Sequence, residues 1–149
     1  MTAKHYEGQD LEALADMPRY ANWIVSEFAH HLKGRVIEVG AGIGNVSKRY
    51  VDGAEHALLV EPASNLYPQL VDRFSGHPHV QTANTLLQDV PADLLREPFD
   101  AAIMVNVLEH VQDDEDCLQR LNELLGERGK LLLFVPALPM LYGTLDTLV

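Results

Sequence analysis

The sequence has few cationic residues, and they are scattered. Eleven Lys and Arg residues stand against 22 Asp and Glu residues, which gives a formal charge of −11. The cations form neither a basic run nor a stripe at helical spacing. Because binding to a polyanion requires a positive field, this composition disfavours a nucleic-acid partner and favours a small-molecule one.

Cysteine and long apolar runs are scarce as well. Cys117 is the single cysteine, so an internal disulfide is excluded and a structural zinc site is disfavoured. The longest apolar stretch, residues 131–142, is interrupted by Pro136 and Pro139. A transmembrane helix needs about 20 apolar residues, so this stretch is too short to cross a bilayer. The sequence contains no basic segment followed by an apolar run, which is the pattern of a signal peptide. We therefore expect no membrane span and a cytoplasmic location.

What the sequence does contain is typical of one globular domain. It has 149 residues, of which 47% are hydrophobic. From residue 35 onward, short apolar runs alternate with amphipathic helical segments. This alternation predicts an α/β fold, with a mainly parallel sheet between two helical layers. The predicted strands are residues 35–40, 57–61, 80–83, 99–105 and 130–135, and a helix is predicted over residues 18–33.

An acidic cluster at residues 113–116 precedes a helical pattern that contains Cys117 and ends at Gly126. Acids in a first turn complement the positive end of a helix. We therefore interpret the cluster as capping rather than as a metal site, and we expect Cys117 to pack in the helix.

A glycine-rich segment, EVGAGIGN at residues 38–45, follows the first predicted strand directly. Glycine permits positive φ and a close approach of the backbone to a ligand. We predict a helix over residues 43–51, whose N-terminus would face that ligand. A dinucleotide fingerprint requires glycine at positions one, three and six. Counting from Gly40, the sixth position is Asn45, so NAD(P) binding is the weaker alternative. A second alternative is that the segment is an ordinary tight turn between a strand and a helix.

Glu61 ends the second predicted strand, 21 residues after Gly40. A carboxylate at this end of the strand can accept both hydroxyl protons of a ribose. The alternative is that Glu61 only caps the segment that begins at Pro62.

Four segments, in this order, resemble the class I S-adenosylmethionine (SAM) methyltransferases of the small-molecule group, the type 11 and type 12 domains. They are VIEVGAGIG at residues 36–44, VEP at 60–62, FD at 99–100 with NVLEH at 106–110, and GKLLLFVP at 129–136. The resemblance implies a Rossmann-like three-layer sandwich with strand order 3-2-1-4-5. It also implies SAM as the cofactor, S-adenosylhomocysteine (SAH) as its product and a small molecule as the methyl acceptor.

The resemblance also implies roles for individual residues. The methionine part of SAM would lie against Glu38 and the glycine loop, and the ribose against Glu61. Asn84 stands where the family commonly has an acid for the adenine amine. His110 would be the general base for a hydroxyl acceptor, or else a structural residue of its loop. The implied cofactor-binding residues are Glu38, Gly40, Ala41, Gly42, Gly44, Asn45, Glu61, Pro62, Asn84, Thr85, Asn106 and Val107, and no metal ligand is implied.

The family's sheet normally continues beyond strand five, whereas this sequence ends at Val149. We therefore expect a shortened domain, with residues 1–34 as a helical lid and residues 35–149 as the core. The chain would then be a fragment of a longer protein, or else the edge of strand five would be covered by a second copy, by another partner or by residues 136–143 folding back. The predicted function is methyl transfer by in-line displacement at the sulfonium methyl. A non-catalytic or partner-dependent SAM-binding module remains the alternative, and an NAD(P)-binding domain is less favoured.

Overall fold

The computed structural model describes residues 18–135, which form one mixed α/β unit. Its helices are α1 (Pro18–Phe28), α2 (Tyr67–Phe74) and α3 (Asp114–Leu124). Its strands are β1 (Arg35–Val39), β2 (His56–Val60), β3 (Val80–Ala83), β4 (Phe99–Val105) and β5 (Leu125–Phe134). None of the helices in this range is long and apolar enough to cross a membrane.

The five strands form one sheet in the order β3-β2-β1-β4-β5, and each neighbouring pair is parallel. The predicted strand order is thereby confirmed. Because every strand runs the same way, the loops that follow the strands all emerge at one edge of the sheet. The order reverses between β1 and β4, and ligands of open parallel sheets bind at such a reversal.

Apolar side chains pack on both faces of the sheet, as a parallel sheet between two helical layers requires. Alternate residues of a strand point to opposite faces, so Val36 and Ile37 of β1 belong to different core clusters. The first cluster includes Leu70 of α2 and Val25 of α1. The second includes Leu121 of α3. The three-layer α/β architecture is confirmed.

The prediction of a helix over residues 43–51 is wrong. Two short 3-10 turns, Ser47–Arg49 and Val51–Gly53, stand in its place. Gly44 has φ +80°, and Tyr50, between the two turns, has φ −126° and ψ −23°. Neither conformation continues a right-handed α-helix. Within residues 18–135, no α-helix follows the glycine loop directly, so the backbone of the loop, rather than a helix N-terminus, faces the ligand site.

Two boundaries also differ from the prediction. Helix α1 ends at Phe28 rather than at residue 33, and β5 begins at Leu125 rather than at residue 130. The additional β5 residues pair irregularly, because the β4–β5 register shifts between Phe99 and Ala101.

Within residues 18–135, β5 is an edge strand that pairs only with β4. Leu131 and Leu133 are partly buried, and Val135 is exposed. Exposed apolar edges favour pairing with another strand, so coverage by a second copy remains our prediction. The segment 136–143, expected as an alternative cover, lies outside the described residues, as do residues 1–17 of the expected lid.

The conformation of Gly44 yields a stability prediction. A Cβ atom on Gly44 would lie 2.6 Å from Phe74 Cε2, in addition to the cost of its positive φ. Gly44→Ala should therefore lower the free energy of unfolding by about 1–3 kcal/mol in urea denaturation. Gly53→Ala is the control, because nothing lies within 4 Å of its added Cβ. Equal denaturation midpoints for the two variants would contradict this assignment.

Candidate functional site

A cavity of about 870 Å³ opens at the sheet edge where the strands end. Ligand pockets are typically about 300–1,000 Å³, so this volume suits a nucleoside-sized ligand and an acceptor. Most of the predicted site residues line this one cavity: Glu38, Gly40, Ala41, Gly42, Asn45, Glu61, Pro62, Thr85, Asn106, Val107 and His110.

The glycine loop is tied to the end of β2. The backbone N–H groups of Gly40 and Ala41 both donate to the Val60 carbonyl, at 2.9 and 3.1 Å. Gly40 and Gly42 have φ of +74° and +56°, which L side chains rarely adopt. A Cβ on Gly40 would collide with the Val107 side chain. Glycine is thus required both by the turn and by its close approach to the end of β4.

The carboxylate of Glu61 is held by two backbone N–H groups. Gly42 N–H donates to Oε2 and Ala63 N–H donates to Oε1, each at 2.7 Å. Glu61 is only 5% exposed, and burial raises the pKa of its carboxyl while the two N–H donors act against that shift. Each oxygen accepts one hydrogen bond and keeps a further lone pair. The carboxylate therefore caps the following segment, as the alternative interpretation held, and can also accept two hydroxyl donors.

Glu38 lies deeper, at 3% exposure, and also lines the cavity. Its Oε2 accepts from Ser47 Oγ at 2.6 Å and from the Tyr50 hydroxyl at 2.8 Å. Burial raises the pKa of Glu38 to about 7, against the opposing effect of the two hydroxyl donors, and the nearby Glu61 raises it further. The Glu38 carboxyl therefore gains or loses its proton near neutral pH, which changes the charge of this part of the cavity wall.

Two predicted residues do not reach the cavity wall within the described structure. Gly44 faces α2, where Phe74 lies against it. The Asn84 side chain donates through Nδ2 to the Glu61 carbonyl at 2.8 Å and so braces the end of β2. Thr85, the next residue along, does line the cavity.

The end of β4 is joined to α1 through Asn106. This residue has φ +52°, unusual for a residue other than glycine. Its N–H donates to the Phe134 carbonyl at 2.8 Å, and its Nδ2 donates to the Tyr20 hydroxyl at 3.1 Å. The Tyr20 ring packs edge-on against Phe134, with centroids 5.6 Å apart. Tyr20 thereby becomes part of the cavity wall.

His110 and Glu109 lie on a 3-10 turn, Leu108–His110, just after β4. His110 is exposed and lines the cavity, in keeping with its predicted place. Glu109 also lines the cavity, and its Oε2 is shielded from solvent without a hydrogen-bond partner.

Sequence reasoning assigned no cofactor or catalytic role to several wall residues, although most of them follow the ends of β3 and β4 or begin α3. They include Tyr20, Leu86, Leu87, Gln88, Glu109, Asp113 and Cys117. The parallel-sheet rule marks such positions as ligand-facing, so their place after predicted strands was the usable signal. The expected capping is confirmed, because Asp113 accepts from Asp116 N–H at 2.9 Å. Cys117 is buried in α3 as predicted.

The raised pKa of Glu38 predicts how stability depends on pH. The folded protein holds this proton up to about pH 7, whereas an unfolded glutamate releases it near 4.5. The stabilisation is complete below the unfolded value and is lost as pH rises through the folded one. At about 1.4 kcal/mol for each pH unit, wild type should lose about 3 kcal/mol relative to Glu38→Gln between pH 4.5 and 8. Parallel curves of unfolding free energy against pH for the two proteins would contradict the assignment.

The chain is similar in sequence to proteins that are described as methyltransferases, and similar in fold to solved methyltransferase structures. An uncharacterized methyltransferase of Staphylococcus carnosus is 27% identical over 112 residues, which cover 74% of this chain and 51% of that protein. This chain spans about half the length of the relatives it matches. Phosphoethanolamine N-methyltransferase 1 of Haemonchus contortus, solved with phosphoethanolamine and SAH, has a TM-score of 0.68 at 15% identity, covering 79% of this chain and 26% of that one. DhpI, solved with SAH, has a TM-score of 0.67 at 16% identity, covering 83% and 61%.

A family model described as a methyltransferase domain matches residues 13–145, which is most of the chain. The match agrees with the motif resemblance and with the strand order of the sheet. The chain belongs to the methyltransferase domain family.

Proposed function

We propose that this chain binds SAM in the cavity and directs its methyl group to a small-molecule acceptor. The observation that carries the proposal is the Glu61 carboxylate, fixed at the end of β2 by Gly42 and Ala63. Two oxygens with spare lone pairs suit the adjacent hydroxyls of a ribose. The solved DhpI and Haemonchus contortus structures contain SAH, the product of such a reaction.

The cavity residues fit the other parts of SAM. The backbone of Gly40 and Gly42 lines the cavity together with Glu38, and the aminoacyl end would lie there. An ammonium near Glu38 would favour its ionised form and lower its pKa. Residues 85–88 would border the adenine, with Leu86 and Leu87 offering apolar surface. Asn84 would support this region only through its bond to the Glu61 carbonyl.

When bound, SAM supplies an electrophilic methyl group on a positively charged sulfur. The chain's own task is to align an acceptor with that methyl and to keep water out. Asn106 and Val107 would border the reacting end, with Tyr20 of α1 as part of the lid. His110, an exposed residue of the turn beyond β4 that lines the cavity, would take a proton from the acceptor as a general base.

Charge and length bear on the alternatives. The excess of acids favours a small molecule over nucleic acid as the acceptor. A partner-dependent SAM-binding module is the second candidate, because the chain spans about half the length of the relatives it matches. Membership of the methyltransferase family weighs against NAD(P) binding, as does Asn45 in place of the third fingerprint glycine.

Removing the charge of Glu61 tests the cofactor site. Glu61→Gln should weaken SAH binding at least tenfold in isothermal titration, because an amide NH₂ would face one of the two backbone N–H donors. Glu115→Gln is the matched control, since this exposed side chain in α3 does not line the cavity. We expect its SAH dissociation constant to stay within twofold of wild type. Equal affinity in the Glu61 variant, folded by circular dichroism, would refute this role.

The role of His110 is tested with any acceptor that the protein turns over. His110→Asn should lower kcat by about 10²–10⁴-fold and leave SAH affinity within twofold of wild type. His31→Asn, an exposed histidine that does not line the cavity, should behave as wild type. An unchanged kcat in His110→Asn would contradict a catalytic role for His110.

A further inference from the structure

The charged side chains of the cavity wall are predominantly acidic. Glu38, Glu61, Glu109 and Asp113 all line it, and no Lys or Arg does so among residues 18–135. Opposite charges attract more strongly where water is partly excluded. With Glu38 and Glu61 assigned to the cofactor in the proposed function, Glu109 and Asp113 remain, and they favour a cationic acceptor over an anionic one.

The two arginines nearest the glycine loop do not alter this balance. Arg49 and Arg73 both contact Asn45, Arg73 through Nη1 to Asn45 Oδ1 at 3.1 Å. Neither arginine lines the cavity.

Among the acids of the cavity wall, Glu109 is the one whose position suits binding of the acceptor. It follows β4, whereas Glu61 follows β2 on the other side of β1. Its Oε2 has no hydrogen-bond partner and no contact with solvent in the described structure. A buried polar oxygen without a partner destabilises the folded protein, and more so when it is charged. That oxygen is shielded in the described structure, so the Glu109 side chain would have to turn for a ligand in the cavity to donate to it, and the hydrogen bond would then remove the cost.

Its neighbours suit an organic cation. Tyr20 lines the same cavity, and aromatic rings attract cations through their faces. The Tyr20 hydroxyl accepts from Asn106, so its own proton remains available to donate. His110, next in sequence to Glu109, can accept a proton within the same part of the wall.

We propose that the acceptor is a primary or secondary amine, bound as its ammonium form with Glu109 as the counter-ion. This inference rests on the proposed function. Before transfer, the ammonium gives one proton to His110. The nitrogen lone pair then forms the N–CH₃ bond as the C–S bond breaks, and sulfur keeps that electron pair. The positive charge thereby moves from sulfur to nitrogen, beside the carboxylate.

The test uses two sets of compounds that differ only in their polar group. The sets are 2-phenylethylamine, 2-phenylethanol and phenylacetate, and butylamine, butanol and butyrate. Each compound is titrated into SAH-loaded protein by calorimetry. We expect at least one amine to bind tenfold or more tightly than its matched alcohol and carboxylate. Glu109→Gln should weaken that amine at least tenfold while SAH affinity stays within twofold, and Glu115→Gln should change neither.

Three results would overturn the inference while the proposed function stands. They are SAH binding with no amine bound, SAH binding with an alcohol or carboxylate bound as tightly as its amine, and full amine affinity in Glu109→Gln. Failure of wild-type protein to bind SAH would instead refute the proposed function, and the inference with it. Loss of SAH binding in Glu109→Gln would assign Glu109 to the cofactor and so overturn its role as counter-ion.

Discussion

The Glu61 carboxylate connects the parts of this site. By accepting from Gly42 and Ala63, it joins the loop after β1 to the segment after β2. The same two hydrogen bonds fix the direction of its remaining lone pairs. A carboxylate held by backbone donors loses little freedom when a ligand arrives, which lowers the cost of binding. The buried position of the group is tolerable because both oxygens already have partners.

The parallel sheet explains why distant residues meet. Every strand ends at the same edge, so Glu38, Glu61 and Asn106 converge although they are far apart in the chain. Beyond β4 the wall carries a different set of side chains, with Glu109 and His110 on one turn. The cavity wall therefore has two parts, one at the ends of β1 and β2 and one beyond β4, and strand order sets their positions.

Sequence patterns predicted what depends on local chemistry. Apolar runs located all five strands, and glycine spacing located a loop whose φ values require glycine. The helix at residues 43–51 was mispredicted, because composition does not reveal the positive φ of Gly44. Asn84 shows a second limit. Its amide donates to the Glu61 carbonyl rather than facing the adenine site. Which of these two partners the amide takes depends on how the neighbouring strands pack. The unpaired oxygen of Glu109 is likewise a property of packing.

A crystal structure of the SAH complex would show directly whether Glu61 binds the ribose. The account predicts both ribose hydroxyls within hydrogen-bond distance of the Glu61 carboxylate, with its bonds to Gly42 and Ala63 retained. The homocysteine end should lie over the glycine loop, near Glu38. A ribose bound elsewhere, or a Glu61 side chain turned away from the nucleoside, would contradict it.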